Sequence, residues 1–166
     1  MDRFVSAFTN KIDSKGRGSV PATFRATLAR DGFDGLYVYP ALGLSALDAG
    51  GNRLVEEING LLDGMPRYSD EHDLLSTEFY GNSEILKLDA EGRIVLSDRL
   101  KEWAQIEDRV AFVGLGHKFQ LWEPERFAAR QEEARSKVRE LKQMLSNMPA
   151  AGSPAGAGAR HSGATE

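Results

Sequence analysis

Ile12-Asp13-Ser14-Lys15-Gly16-Arg17 recurs 76 positions later as Leu88-Asp89-Ala90-Glu91-Gly92-Arg93. Both copies run apolar residue, Asp, two free positions, Gly, Arg. An Asp at the first corner of a tight turn accepts backbone N–H bonds from two residues on, and a Gly three residues later tolerates positive φ. That is the chemistry of a type I turn closed by a glycine bulge between antiparallel strands. The turn accounts for the Asp and the Gly. It does not account for an Arg directly after each Gly, presented twice at the same hairpin tip.

On either side of the motifs the chain reads as two similar halves. Phe4 to Ile12 alternates loosely and predicts a strand, with Arg17 to Val20 as its hairpin partner. Pro21 suits the first position of a helix reaching about Arg30, burying Phe24 and Leu28 and stopping at Asp31-Gly32. Leu36 to Pro40 predicts a strand and Leu44 to Leu47 a shorter one. Asn52 is a candidate cap for a helix over Arg53 to Leu62 with Leu54, Ile58, Leu61 and Leu62 on one side. A further helix is expected from Ser69 to Tyr80. The second half then repeats the first. Ile85 to Leu88 and Arg93 to Leu96 flank the second turn, Ser97 caps a helix carrying Leu100 and Trp103, and strands Val110 to Val113 and Phe119 to Leu121 follow. The expected fold class is α+β, two hairpin/helix half-repeats forming a pseudo-twofold β-barrel in which each half covers the other's strand edges. Residues 1–82 would be the first half and 83–148 the second, with its long C-terminal helix.

After Pro124, Phe127, Gln131, Ala134, Val138, Leu141, Leu145 and Met148 fall at alternating steps of four and three, a heptad-like seam among charged residues. The seam fits packing on its own barrel or contact with a neighbouring subunit. Towards Met148 the neighbour is favoured, because three heptads exceed the length of one small barrel. Residues 149–166, rich in Ala, Gly, Pro and Ser, read as a disordered tail.

Composition narrows the function classes. The 166 residues contain no cysteine, which excludes disulfides and thiolate metal sites. No apolar run approaches the roughly 18 residues of a membrane span and no signal-peptide core opens the chain, so a cytoplasmic, membrane-free protein is expected. The net charge of −4 conceals an asymmetry: residues 1–30 sum to +4, residues 31–107 to −10 and the remainder to +2. Partner choice follows such local fields rather than the bulk charge.

Catalytic patterns are lacking. His72, His117 and His161 are scattered, with no zinc spacing. Gly114-Leu115-Gly116-His117-Lys118 lacks the spacing and the Lys-Ser/Thr ending of a phosphate loop and reads as a hairpin turn. Glu56-Glu57 and Glu132-Glu133 sit on expected solvated helix faces. No enzyme and no cofactor is predicted.

The doubled turn remains. One Asp-x-x-Gly turn followed by a charge is an ordinary surface loop; two in matching positions of a repeat are not. Phe4, the Ile12 to Arg17 run, Pro21 and Phe24-Arg25 resemble the first half of the MraZ family of bacterial transcriptional regulators, which have the AbrB-like swapped-hairpin fold. Leu88-Asp89 with Gly92-Arg93, Val113-Gly114, Phe119 and Leu121-Trp122 resemble its second half. The resemblance covers about residues 1 to 147, and Ser6 stands where that family commonly has glycine.

It implies two AbrB-like half-repeats in one chain, a ring-like homo-oligomer, and recognition of repeated promoter sites on double-stranded DNA. It also implies repression of the division and cell-wall gene cluster and a nucleoid-associated protein. The DNA-facing positions it implies here are Asp13, Lys15, Arg17, Asp89 and Arg93. Their chemistry agrees: Arg pairs with guanine O6 and N7 or grips phosphate bidentately, and Lys15 suits a phosphate. Asp13 and Asp89 would shape the turns and orient the arginines. Glu91 replaces Lys15 in the second copy, so the first hairpin should contribute more electrostatic affinity. The alternatives are an oligomeric protein-interaction scaffold, or an antitoxin-like AbrB relative, which the lack of large apolar anchors in residues 149–166 disfavours.

Overall fold

The computed structural model describes residues 2–149; the predicted tail, from residue 150 on, lies outside them. Strands β1 (Ala7–Lys11) and β2 (Arg17–Ser19) precede helix α1 (Ala22–Asp31), strands β3 (Leu36–Pro40) and β4 (Leu47–Gly50), and helix α2 (Asn52–Asp63). Helix α3 (Asp70–Ser76) runs into a π-helical turn at Thr77–Gly81. Strands β5 (Glu84–Leu86) and β6 (Arg93–Val95), helix α4 (Asp98–Ala104), strands β7 (Arg109–Gly114) and β8 (Phe119–Trp122) and helix α5 (Pro124–Ser146) complete the order. The class is α+β, as expected.

The two turns form, but their arms do not pair as hairpins. β1 pairs antiparallel with β7, Phe8 opposite Phe112, whereas β2 pairs with β6, Gly18 opposite Ile94. The chain reverses at Asp13–Gly16 and the two strands then separate to different partners. β2 and β6 make a two-stranded sheet of their own, and the other six strands make one antiparallel sheet in the order β1-β7-β8-β4-β3-β5. That order reads the same from either end once β1 is matched with β5, β7 with β3 and β8 with β4. The expected barrel is therefore not closed: β1 and β5 remain the ends of the larger sheet, because the strands that follow each turn leave it to pair with one another.

Local chemistry accounts for most boundaries. Pro21 stands just before α1, and Gly32 ends it in the left-handed region at φ 81°. Ser69 and Ser97 cap α3 and α4 by accepting N–H bonds from His72 and Leu100. Asn52 does not cap α2. The carboxylate of Asp31, at the end of α1, accepts from the backbone N–H groups of Asn52 and Arg53 at 2.5 and 3.0 Å. The second strand of the first half begins at Leu47 rather than Leu44, since Ala41 to Ala46 form a turn closed by Ala41 N–H to Ala46 O. The helix predicted over Ser69 to Tyr80 changes to π geometry at Thr77, which carries buried Phe79 beneath Tyr37 and Tyr39. Leu61, expected on one side of α2 with Leu54, Ile58 and Leu62, is exposed, as is Trp103 of α4.

Residues up to Ala128 form one unit. Its main core is an aromatic knot around Phe24, whose ring lies 5.4 Å from Phe4, 5.7 Å from Phe8 and 4.8 Å from Phe119. Leu36, Leu47, Ile94, Leu100, Phe112 and Leu121 pack about it with almost no solvent contact. Phe127, in the first turns of α5, packs on Trp122 at 6.4 Å. The second unit begins at Ala129; its described residues, the rest of α5 and the three that follow, are exposed throughout.

Candidate nucleic-acid interface

Each turn is built around its aspartate. Asp13 Oδ1 accepts the backbone N–H of Lys15 and of Arg17, both at 2.9 Å, and Oδ2 accepts Arg17 Nε–H at 2.8 Å. Gly16 N–H donates to Asp13 O at 2.9 Å, and φ at Gly16 is +85°. The second copy repeats this almost atom for atom. Asp89 Oδ1 accepts from Glu91 and Arg93 N–H at 2.9 and 2.8 Å, Oδ2 accepts Arg93 Nε–H at 2.8 Å, and Gly92 has φ +78°. The aspartates thus do both things expected of them: they close the turns and hold each guanidinium by its Nε edge.

The β2–β6 ladder joins the two turns, one at each of its ends. Leu96 N–H donates to Gly16 O at 2.8 Å, and Val20 N–H donates to Gly92 O at 3.0 Å. These bonds exchange under the 76-residue offset, as do the pairs Arg17–Val95 and Arg93–Ser19, so a local pseudo-twofold passes through Gly18 and Ile94. Arg17 and Arg93 line one groove with Lys11, Arg109, Asp13 and Asp108. Lys11 and Arg109 were not anticipated. Lys11 directly precedes the first motif, but Arg109 joins it only through the last pair of the β1–β7 ladder.

The arginines are not equivalent. Among the described residues Arg17 makes no guanidinium contact beyond Asp13, so its two Nη groups can donate outward. Arg93 also gives Nη2–H to Glu91 Oε2 at 3.0 Å. Lys15 is exposed at the first tip, where Glu91 stands in the second, so the charged motif residues total +1 in one copy and −1 in the other.

Backbone N–H donation from Arg17, then its side chain, holds the Asp13 carboxyl below the usual carboxylate range. The backbone N–H of Arg93 does the same for Asp89. Arg93 is pushed up, first by its hydrogen bond to Asp89, with Asp13 of the other turn also contributing.

Elsewhere, buried Asp48 accepts from Lys118 Nζ at 2.9 Å and from Gln120 Nε2 at 2.8 Å, and Gln120 Oε1 accepts from Trp122 Nε1 at 2.9 Å. This network joins β4 to β8. Burial, with Asp48 adding to it, pushes the neighbouring Tyr39 hydroxyl far up, which leaves it a neutral phenol. Gly114 to Lys118 is the expected hairpin turn, with Leu115 N–H bonded to Lys118 O. Among the described residues no His, Asp or Glu group is arranged to hold a metal, and no helix is long and apolar enough to cross a membrane.

A protein of Methylocella silvestris named Transcriptional regulator MraZ is 58% identical to this chain, over 91% of the chain and 92% of that relative. The chain belongs to the MraZ family. A family model described as "MraZ protein, putative antitoxin-like" matches residues 79–146, from the π turn to the end of α5. MraZ proteins of Beijerinckia indica and Xanthobacter autotrophicus, also named transcriptional regulators, are 56% and 58% identical, covering 91% and 87% of this chain and 92% of each relative.

Proposed function

We propose that this chain is a sequence-specific, DNA-binding transcriptional regulator. Relatives over most of its length bear the name Transcriptional regulator MraZ, which is not that of an enzyme class. The observation that carries the DNA reading is the pairing of the two Asp-x-x-Gly-Arg turns, with Arg17 and Arg93 lining one groove beside Lys11 and Arg109. In this reading Arg17 and Arg93 reach base edges or phosphates with the guanidinium edges their aspartates leave open. Lys15 meets a phosphate, and Asp13 and Asp89 keep the arginines aimed. The target is a set of repeated promoter sites upstream of the division and cell-wall gene cluster, which the protein represses as a nucleoid-associated cytoplasmic protein. No cofactor takes part.

One subunit offers few phosphate contacts and an acidic body. A ring-like homo-oligomer reading several repeats at once supplies the missing affinity by avidity. The palindromic strand order supports two AbrB-like half-repeats, residues 1–82 and 83–148.

The test is a mobility shift with the DNA upstream of the protein's own gene, across a salt series. Wild type should shift it at lower concentration than a scrambled fragment. Lys15→Ala should weaken both and reduce the salt dependence by about one unit. No preference over the scrambled fragment at any salt refutes sequence-specific binding and leaves the scaffold reading.

A further inference from the structure

Val138, Leu141, Leu145 and Met148 are apolar side chains exposed along α5 and just beyond it. What surrounds them selects their partner. In the heptad register with Val138 and Leu145 at one seam position and Leu141 and Met148 at the other, the flanking positions include Arg130, Arg135, Lys137 and Lys142. All four are basic. The helix's acids stand one step further from the seam, where Glu133 meets Arg130 and Lys137 at 3.2 and 3.4 Å and Glu132 meets Arg135 at 3.7 Å.

Two copies of this seam cannot pair well. A parallel pair sets Arg130 against Arg135 and Lys137 against Lys142, and an antiparallel pair sets each flank against itself. The contacts between charged flanking residues are therefore all between like charges, with only Met144 and Pro149 uncharged there. The exposed acids behind them screen this only weakly. An apolar stripe between basic rails fits an apolar surface with acidic borders.

We propose that this stripe docks on α2 of a second copy of the chain. Exposed Leu61 of α2 and exposed Leu42 beside it line a cavity of about 330 Å³ with Glu57, His117 and Lys118. His117 lies 3.4 Å from Glu57, Lys118 is held by Asp48 at 2.9 Å, and Glu56 is exposed on α2. Gly60, between Glu57 and Leu61, has nothing within 4 Å of where a Cβ would stand, so another helix can lie close. α2 is about 18 Å long, close to the 15 or so Å from Val138 to Met148. The contact joins different surfaces on the two copies. Such head-to-tail contacts close into rings when the rotation permits, which dimeric coiled-coil pairing would not require. The inference rests on the homo-oligomeric part of the proposal above. Its test reads mass without DNA, so its failure leaves the DNA reading standing.

Full-length chains are measured by light scattering after circular dichroism confirms that each is folded. Arg135→Glu with Lys142→Glu should lower the mass of the assembly towards the 18.2 kDa of one chain. Glu56→Lys with Glu57→Lys should do the same. An equimolar mixture of the two variants should regain the large assembly, because every acidic stripe then meets a basic α2 and every basic stripe an acidic one.

Three results overturn the proposal. One is an unchanged mass for either variant alone. Another is association of the stripe-reversed chain with wild type at α2-reversed strength or better, which is pairing of stripe with stripe. The third is an unchanged mass together with weakened DNA binding in the stripe variant, which would assign the basic rails to DNA.

Discussion

Gly16 and Gly92 occupy equivalent places in the two turns, yet the same substitution should cost them different amounts. A Cβ on Gly16 would stand 2.4 Å from the backbone oxygen of Leu96, whereas on Gly92 its nearest neighbours are side-chain atoms of Arg25 at 2.5 to 2.7 Å. Both glycines sit at positive φ, so Gly→Ala costs each about 1–2 kcal/mol from left-handed strain. At Gly16 the obstruction is backbone. The β2–β6 ladder must open at its end, weakening the Leu96 N–H to Gly16 O bond, for about 1–2 kcal/mol more. At Gly92 the guanidinium of Arg25 can swing away, losing only its bond to Val20 O.

Gly16→Ala should therefore destabilise by about 2–4 kcal/mol. Gly92→Ala should cost about 1–3 kcal/mol, leaving a gap of about 1 kcal/mol. Urea unfolding at one fixed chain concentration measures it, since association would otherwise shift the midpoint. With a slope of about 1–3 kcal/mol per molar urea, the Gly16 variant should unfold at a midpoint lower by several tenths molar. Equal midpoints, or a more stable Gly16→Ala, would refute the claim that backbone obstruction rather than turn strain separates the two sites.

Arg17→Ala should leave folding intact and cost about 1–3 kcal/mol of DNA binding per subunit contact, with relaxed preference at one base. Arg93→Ala should cost less, because Glu91 already holds Arg93 Nη2, and Glu91→Gln should tighten binding; quantitative shifts on one operator compare all three. Asp13 and Asp89 have carboxyls lowered by folding, so their stabilisation is complete above the unfolded value near 3.8 and is lost as pH falls through the folded values. Asp13→Asn with Asp89→Asn should thus be less stable than wild type at pH 6 and approach it near pH 2, as followed by urea midpoints. Ser6 holds φ 74° while its carbonyl accepts from Gly114 N–H, so Ser6→Gly should raise stability by about 0.5–1 kcal/mol in a thermal melt.

Several features were legible in the chain because their causes lie within a few residues. The Asp-to-Gly turns follow from one carboxylate and one permissive glycine. α1 follows from Pro21 and Gly32, and α4 from the Ser97 cap. Others were misread where a distant group won. Asn52 looked like the cap of α2, but Asp31, brought in from the end of α1, takes the N–H groups. Leu61 shared the helical spacing of Leu54, Ile58 and Leu62 yet faces solvent, since periodicity cannot say how wide the buried stripe is. Lys11 and Arg109 carry no motif at all and enter the groove through strand pairing.

By itself the sequence determined that two like turns exist, that each presents an arginine, and that the chain is α+β. These are local properties of short stretches and of their recurrence. The tertiary structure decided what the turns are for mechanically. Local preference favours β1 folding back on β2, but a three-residue β2 gains more by pairing with β6, which seals Ile94 and Leu96 in the core and leaves β1 to cover Phe112. That exchange sets Arg17 and Arg93 at the two ends of one short ladder, where they line a common groove, and opens the barrel that simple hairpins would have suggested. Strand partnership between residues 76 apart is a global minimum of burial and hydrogen bonding, and no window of sequence contains it.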